Sequence, residues 1–299
     1  MKEIVVISGK GGTGKTSITA SLAVLGGRDV VVADCDVDAA DMHILLQPKN
    51  LKSEDFYSGE LAVIDQDACT QCGKCFDVCR FDAVDVNEEG VHDINELSCE
   101  GCGYCARVCP VNAITNIPLN VGKWHIANTR FDQPMVHAKL GIGADNSGKL
   151  VAHVKNMAKE IAEQYNRNYI LVDGSPGVGC PVVSSLSGAH FVVLVTEPTV
   201  SGLHDLKRVY ELVNKFHLPA GCIINKADLN PDKTQEILDF LKEEEIIHLA
   251  NLPYDESFTI AMTDCKTIVE MDDSKIKKIL TEIWEEVKQI VNSVSKKTT

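Results

Sequence analysis

Eight of the twelve cysteines in this 299-residue chain fall in two runs of identical spacing. Cys69, Cys72, Cys75 and Cys79 form the first, and Cys99, Cys102, Cys105 and Cys109 repeat it thirty residues later. Each run reads C-x2-C-x2-C-x3-C. Two-residue gaps let a tight loop set three thiolates at three corners of a cube while backbone N–H groups face the bridging sulfides, so the spacing predicts two [4Fe-4S] clusters. The fourth corner comes from elsewhere in the chain. Zinc also uses C-x2-C pairs, but a zinc site takes four ligands and does not call for three close cysteines twice. The repeat extends past the thiols: Phe81-Asp82-Ala83-Val84 after the first run answers Pro110-Val111-Asn112-Ala113-Ile114 after the second, which gives the segment pseudo-twofold symmetry.

Length allows one large domain or two smaller ones. The net charge of -14 argues against nonspecific binding to nucleic acid or anionic lipid, both of which need a basic surface. From Leu61 to Ile117 ten Asp/Glu face three Lys/Arg, half of that net charge, as suits a module with a basic partner or simply a solvated surface. Met1-Lys2-Glu3 runs straight into an apolar strand, and no apolar stretch approaches the roughly 18 residues of a membrane span. The expected location is therefore cytoplasmic, where disulfides do not persist and twelve cysteines mean metal or redox chemistry.

The chain opens as strand (Ile4–Ser8), glycine loop (Gly9–Gly14) and helix (Lys15–Leu25), followed by a second buried strand at Val30–Asp34. Further strands are expected at Trp124–Ala127, Tyr169–Asp173, Phe191–Val195 and Gly221–Asn225, with helices signalled by Leu150, Val154, Met157, Ala158 and Ile161 and by Leu203, Leu206, Val209, Tyr210 and Val213. Such alternation marks an α/β, doubly wound, mostly parallel sheet. The pattern stops near Ser58-Gly59 and returns after Pro118. The expected organisation is an inserted α+β cysteine domain, residues 60–118, between two parts of one sheet domain, residues 1–59 and 119–299.

Gly9-Lys10-Gly11-Gly12-Thr13-Gly14-Lys15-Thr16 satisfies G-x4-G-K-[ST] between a strand and a helix, followed by Ser17. Its glycines let the backbone N–H groups and the helix N-terminus wrap a phosphate; Lys15 would contact the terminal phosphates of ATP and Thr16 would hold Mg2+. Carboxylates end two strands, at Asp34-Cys35-Asp36 and at Asp173-Gly174-Ser175-Pro176-Gly177, where Mg2+ and an attacking water need them.

The second lysine, Lys10, makes this loop resemble the deviant Walker A of the MinD/ParA family of P-loop ATPases, which includes the nitrogenase iron protein and the ATP-dependent iron-sulfur carriers. The cysteine runs resemble bacterial ferredoxins, so the whole chain is similar to the MinD-like ATPases that carry an inserted ferredoxin domain. In ferredoxins the last cysteine of each run ligates the other cluster, which implies Cys69, Cys72, Cys75 and Cys109 around one and Cys79, Cys99, Cys102 and Cys105 around the other. The ATPase resemblance implies that Lys10 reaches phosphates bound by a second subunit, making ATP a dimerisation switch. It further implies that Asp36 positions the attacking water, that Asp173 belongs to the Walker B and switch II segment, and that Asn225 of Ile224-Asn225-Lys226-Ala227-Asp228 reads adenine. Leu252-Pro253-Tyr254-Asp255 would close over the base, which places Pro253 and Asp255 in the nucleotide site. Two positions depart from the pattern: Ser175 where many carriers have proline, and Arg80 where ferredoxins often have proline.

Cys35, Cys180, Cys222 and Cys265 lie outside the runs. Cys222 and Cys265 read as small buried hydrophobes, and Cys35 between two carboxylates reads as an unreactive thiol. Cys180 follows Asp173 by seven residues, the spacing at which the nitrogenase iron protein places a cluster ligand, and is a candidate extra thiol on that resemblance. The nine histidines show no metal-type spacing and read as structural or surface groups. The last helix carries Ile276, Ile279, Leu280, Ile283, Val287, Ile290, Val291 and Val294 at helical spacing with Glu282, Glu285 and Glu286 between, as a helix packed on the sheet would.

Three functions follow from the resemblance. One is assembly or delivery of iron-sulfur or other metal cofactors under control of a nucleotide-dependent homodimer. A second is ATP-gated, low-potential electron transfer to a partner protein. The third, spatial positioning as in MinD and ParA, is disfavoured by the acidic charge and the lack of a basic membrane helix.

Overall fold

Ile4, Val5, Val6 and Ile7 are all buried, as a strand covered on both faces must be, and they form β1 (Lys2–Ile7) in the middle of a nine-stranded sheet. The computed structural model describes residues 1–141, 143–144, 147–271 and 275–294, apart from the side chain of Val294. From edge to edge the sheet runs β11 (Ile247–Asn251), β10 (Ala220–Ile224), β9 (Phe191–Thr196), β1, β8 (Tyr169–Asp173), β2 (Val30–Asp34), β7 (Pro134–Leu140), β6 (Ile114–Asn128) and β3 (Lys49–Ile64). Every neighbouring pair from β11 to β7 is parallel. The expected strand near Trp124 is the last part of β6. Strand β3 runs straight through Ser58-Gly59, where the apolar pattern fades, because its residues there are mostly exposed and polar.

The described residues within Met1–Glu54, Trp124–Lys139 and Ser147–Thr299 form one unit, and those within Asp55–Lys123 and Leu140–Asn146 the other. In the first, α1 (Lys15–Gly26) and α10 (Lys275–Val294) pack on each other over one face of the sheet. Ile18, Leu22, Leu280 and Trp284 there join Ile4, Val6, Val32 and Leu171 in one apolar core. Helices α5 (Ser147–Gln164) and α6 (Cys180–Leu186) pack together against β1, β2 and β8. The remaining helices of this unit are α2 (Met42–Leu46), α7 (Val200–Lys215), α8 (Pro231–Glu243) and α9 (Ser257–Thr263). Among the described residues, no helix is long and apolar enough to cross a membrane.

A buried ion pair joins α5 to β1. Lys155 of α5 is 3 % exposed and meets Glu3 of β1, 1 % exposed, at 2.6 Å. Its ammonium also donates to the carbonyls of Ser184, Ser185 and Ser187, capping the end of α6. Burial pulls its pKa below the ordinary lysine value, with Glu3 opposing. Removing one partner of a buried pair strands the other charge, at a cost of about 3–5 kcal/mol. Lys155→Met is therefore expected to lose about that much stability in a chemical denaturation series, and a loss below about 1 kcal/mol would show that Lys159, 3.3 Å from Glu3, compensates fully.

The second unit has little apolar interior: Ala62, Ile64 and Ile114 form its core cluster, with Cys69, Cys75, Cys99, Cys105 and Cys109 packed against it. It contains α3 (Lys74–Val78), α4 (Tyr104–Val108) and an antiparallel pair, β4 (Val84–Val86) and β5 (His92–Ile94). The thirty-residue repeat is visible in the backbone. Gly73 (φ 76°) and Gly103 (φ 69°) open the two helices in the left-handed region that glycine tolerates. Asp82 (φ 50°) and Asn112 (φ 51°) repeat that conformation after each run, as the two non-glycine types best suited to it. Ala83 N–H donates to Cys79 Sγ at 3.4 Å, and Ala113 N–H to Cys109 Sγ at 3.2 Å.

Candidate functional site

Parallel in-register pairing sets Asp173 beside both Val6 and Asp34, so the carboxylates of β8 and β2 arrive at one level, next to the loop that leaves β1. Gly12 (φ 79°) and Gly14 (φ 91°) bend that loop, and a Cβ on Gly14 would lie 2.4 Å from Asn225 Nδ2. Asn225 Nδ2 donates to the Thr13 carbonyl (2.8 Å) and Lys226 Nζ to that of Gly12 (3.3 Å). Two loop carbonyls are thereby braced, as the shape of a phosphate cradle requires. Lys15, 5 % exposed, places its ammonium 2.9 Å from Asp173 and 3.2 Å from Asp36. Thr16 donates to Asp173 Oδ2 (2.7 Å) and Thr19, one turn further along α1, to Oδ1 (2.9 Å).

Three buried carboxylates thus face one ammonium. Burial, then the Asp173 charge, pushes the Asp34 carboxyl well above its ordinary value. Burial likewise raises Asp36, although Lys15 opposes it. Burial alone would depress Lys15, but Asp173 and then Asp36 carry it above the usual lysine value. Asp34 accepts the Asp36 N–H through Oδ1 (3.2 Å), while its buried Oδ2 has no partner among the described residues. The site is short of positive charge, which is what a Mg2+ ion held by Thr16 and the nearby carboxylates would supply.

The other expected nucleotide residues converge in part. Asp228 accepts the Tyr254 N–H (2.6 Å) and Ala227 N–H donates to the Leu252 carbonyl (2.8 Å), which joins the Asn225–Asp228 strand end to the Pro253 loop. Asp255 accepts from the N–H and hydroxyl of Ser257, and those bonds hold its carboxyl below the ordinary value. Gly9 lies against the backbone of Asp205 on α7, Gly11 faces open space, and Ser17 points to Met262 of α9. Lys10 is held within its own chain, 2.7 Å from Glu197 and bonded to the hydroxyls of Thr199 and Ser201. Burial alone would raise the Glu197 carboxyl, but Lys10 and Lys226 hold it down. Ser175 has a definite job: its hydroxyl donates to the Cys35 carbonyl (2.8 Å), while Gly177 N–H donates to that of Ser8 (2.9 Å). The segment after β8 is thereby tied to both the β2 end and the phosphate loop.

In the second unit the thiols gather across the repeat. One cavity is lined by Cys69, Cys72, Cys75 and Cys109, and another by Cys79, Cys99, Cys102 and Cys105. Among the described residues, no three His, Cys, Asp or Glu side chains are arranged to hold a single metal ion. Four thiols spaced around a hollow suit a multi-iron cluster better than one zinc ion. Burial raises the Cys75 and Cys105 thiols, with backbone N–H groups opposing, a cost that coordination to iron would remove.

A 4Fe-4S dicluster family matches residues 62–116. Across 97 % of its length the chain is 34 % identical to the uncharacterized protein MJ0578 of Methanocaldococcus jannaschii, which is itself 97 % covered. The chain belongs to the family of that uncharacterized protein. The likeness extends to the septum site-determining protein MinD of Bacillus subtilis, 23 % identical over 83 % of this chain and 72 % of that one. The septum site-determining protein MinD of Pyrococcus horikoshii, complexed with Mg-ADP, superposes with a TM-score of 0.57 at 22 % identity, covering 97 % of this chain and 96 % of that one. The fold is therefore that of MinD/ParA P-loop proteins, with a ferredoxin-type 4Fe-4S domain in the same chain.

The spare thiols sort by burial. Cys35 is fully buried and its pKa pushed well up, by burial first rather than by the flanking carboxylates; Lys155 opposes. Cys222 is also fully buried and raised. Cys265 is only half-buried, at a left-handed position (φ 53°) whose carbonyl accepts from Gln47 and Arg130. Cys180 is exposed at the start of α6. Thr19, Glu197 and His92 are site residues that sequence reasoning missed. Thr19 sits one helical turn after the motif and Glu197 just past an apolar strand, which are weak signals; His92 had none.

Proposed function

We propose that this protein is an ATPase whose nucleotide-dependent homodimer serves assembly or delivery of iron-sulfur or other metal cofactors. The observation that carries it is Lys15 set between Asp36 and Asp173, with Thr16 on Asp173, in a chain that also holds two four-cysteine cavities. Gly9 to Ser17 would cradle ATP, Asn225 with Pro253 and Asp255 would hold the base, and Asp36 would orient the attacking water while Asp173 and Thr16 position Mg2+. Residues 60–118 would form the cluster module between ATPase parts 1–59 and 119–299, in the cytoplasm, where thiols stay reduced. Lys10 would leave Glu197 to meet the phosphates of a second subunit. Bound clusters would supply one-electron chemistry or transferable iron and sulfide. In size-exclusion chromatography the wild type is expected to become a dimer with Mg-ATP and Lys10→Ala to stay as it is without nucleotide; dimerisation of both would remove Lys10 from the switch.

A second reading, ATP-gated electron transfer to a partner protein, is favoured by one observation. Both cavities have a full set of four thiols, most of them half-buried, as suits a cluster that stays. Incubating anaerobically reconstituted protein with an apo-acceptor and ATP separates the two. Iron moving to the acceptor supports delivery. Retained iron with an ATP-dependent change in reduction state supports electron transfer, and ATP-independence of both would sink the coupling.

A further inference from the structure

Two sites made by one repeat would be equivalent if their walls were. They are not. The cavity of Cys69, Cys72, Cys75 and Cys109 is also lined by His92, a β5 residue that is 7 % exposed, whose buried Nδ1 has no hydrogen-bond partner among the described residues. Its backbone is held in place, paired with Val86 of β4 and accepting from Gln66 Nε2 at its carbonyl (2.8 Å), and its ring Nε2 lies 3.8 Å from where a Cβ on Gly73 would sit, in the loop between Cys72 and Cys75. The other cavity has no imidazole in its lining; Phe81, Val84, Ile94 and Tyr104 face it instead, with Glu100. At repeat-related positions Lys74 of the first cavity stands where the second has Tyr104, and Thr70 stands where the second has Glu100. Backbone donors are unequal too. Gln71 N–H reaches Cys69 Sγ (3.4 Å), a contact that the described residues of the second quartet do not repeat at Cys99, while Ala113 N–H on Cys109 Sγ is matched by Ala83 N–H on Cys79 Sγ and the backbone N–H groups at Cys75 by those at Cys105.

Each difference acts in the same direction. A buried imidazole without a partner costs free energy unless an acceptor fills the space beside it. Hydrogen bonds to the sulfurs and nearby positive charge favour the more negative, reduced state, and a carboxylate disfavours it. We infer that His92 donates a ring N–H to sulfur of the cluster held by Cys69, Cys72, Cys75 and Cys109, making that cluster the higher-potential member of the pair. One electron from a low-potential donor adds one negative charge to the protein and comes to rest there; the second cluster is reduced only by a second electron. The module then has a direction, with the cluster of Cys79, Cys99, Cys102 and Cys105 as the lower-potential station. This rests on the reading of two clusters per chain, and iron analysis tests that reading separately.

The experiment uses the full-length, anaerobically purified protein. About eight iron atoms per chain are required for the cluster reading itself. An EPR-monitored titration with dithionite is then expected to show two one-electron waves separated by at least roughly tenfold in equilibrium constant, ~59 mV. His92→Leu is expected to lower the upper wave by roughly tenfold and leave the lower one in place. His92→Gln, which keeps a donor, retains most of the separation, and Glu100→Gln raises only the lower wave. Selective 15N-histidine labelling adds a readout that needs no variant: a histidine nitrogen coupling in the half-reduced wild type. A single unresolved pair of waves at full iron content, a His92→Leu shift confined to the lower wave, or absence of the histidine coupling would each overturn the assignment.

Discussion

Asp36→Ala is expected to bind Mg-ATP with near wild-type affinity and to hydrolyse it roughly 10²–10⁴-fold more slowly, the usual cost of losing a positioned proton acceptor. Binding should survive because Lys15 keeps its shorter contact, 2.9 Å to Asp173, and because the loop is braced by Asn225 and Lys226, neither of which touches Asp36. Folding should survive too. Burial raises the Asp36 carboxyl above its unfolded value, so its contribution to stability is present below the ordinary Asp pKa of about 3.9 and is lost as pH rises through the folded value. At neutral pH the nucleotide-free protein carries Asp36 as a burden, and the alanine variant should melt no lower than wild type. Lys15→Ala is the contrasting case. It leaves Asp34, Asp36 and Asp173 without their shared counter-charge, and should lose nucleotide binding while becoming less stable as pH rises. Wild-type turnover in Asp36→Ala, measured by phosphate release, would contradict its role with water.

These residues could be recognised in sequence because their positions follow from backbone regularities. Strands buried on both faces read as unbroken apolar runs, so β1, β2, β8 and β9 announced themselves. Loop spacing and strand ends then located Lys15, Asp36 and Asp173. By contrast β3 opens on exposed residues, and β7 starts at Pro134 and mixes polar groups such as His137 and Lys139 into seven residues, so neither carries the apolar signature. Side-chain encounters between distant elements were equally silent. Glu197 reaches Lys10 from another strand end, and Ser175 reaches Cys35 across the sheet. His92 joins a cysteine cavity through a β-pair whose register nothing local reveals. Period and spacing describe one element at a time, and these contacts belong to pairs.

The cysteine module offers the sharpest case of such a pair, because sequence proximity and spatial grouping disagree there. Cys109 ends the second run but lines the cavity of Cys69, Cys72 and Cys75, along with Val111, Ala113 and Ile114, which follow it in the chain. Cys109→Ala is therefore expected to empty the first site and to leave Cys79, Cys99, Cys102 and Cys105 loaded, so that iron falls from about eight to about four per chain. The wave that remains should be the one that His92→Leu does not move. Cys79→Ala should do the reverse. Since so few apolar residues hold the unit together, losing one cluster should loosen the unit itself, with faster amide exchange in β4 and β5. Nucleotide binding by the sheet domain should continue, because among the described residues its apolar core around Ile4, Val6 and Leu171 draws none from the cysteine unit. If Cys109→Ala instead spares the His92-sensitive wave and abolishes the other, each run binds its own cluster and the crossed arrangement is wrong. The crossed arrangement has a physical consequence that the alternative lacks: each cluster is ligated from both runs, so neither half of the repeat can reach its final fold until the other has presented its fourth cysteine.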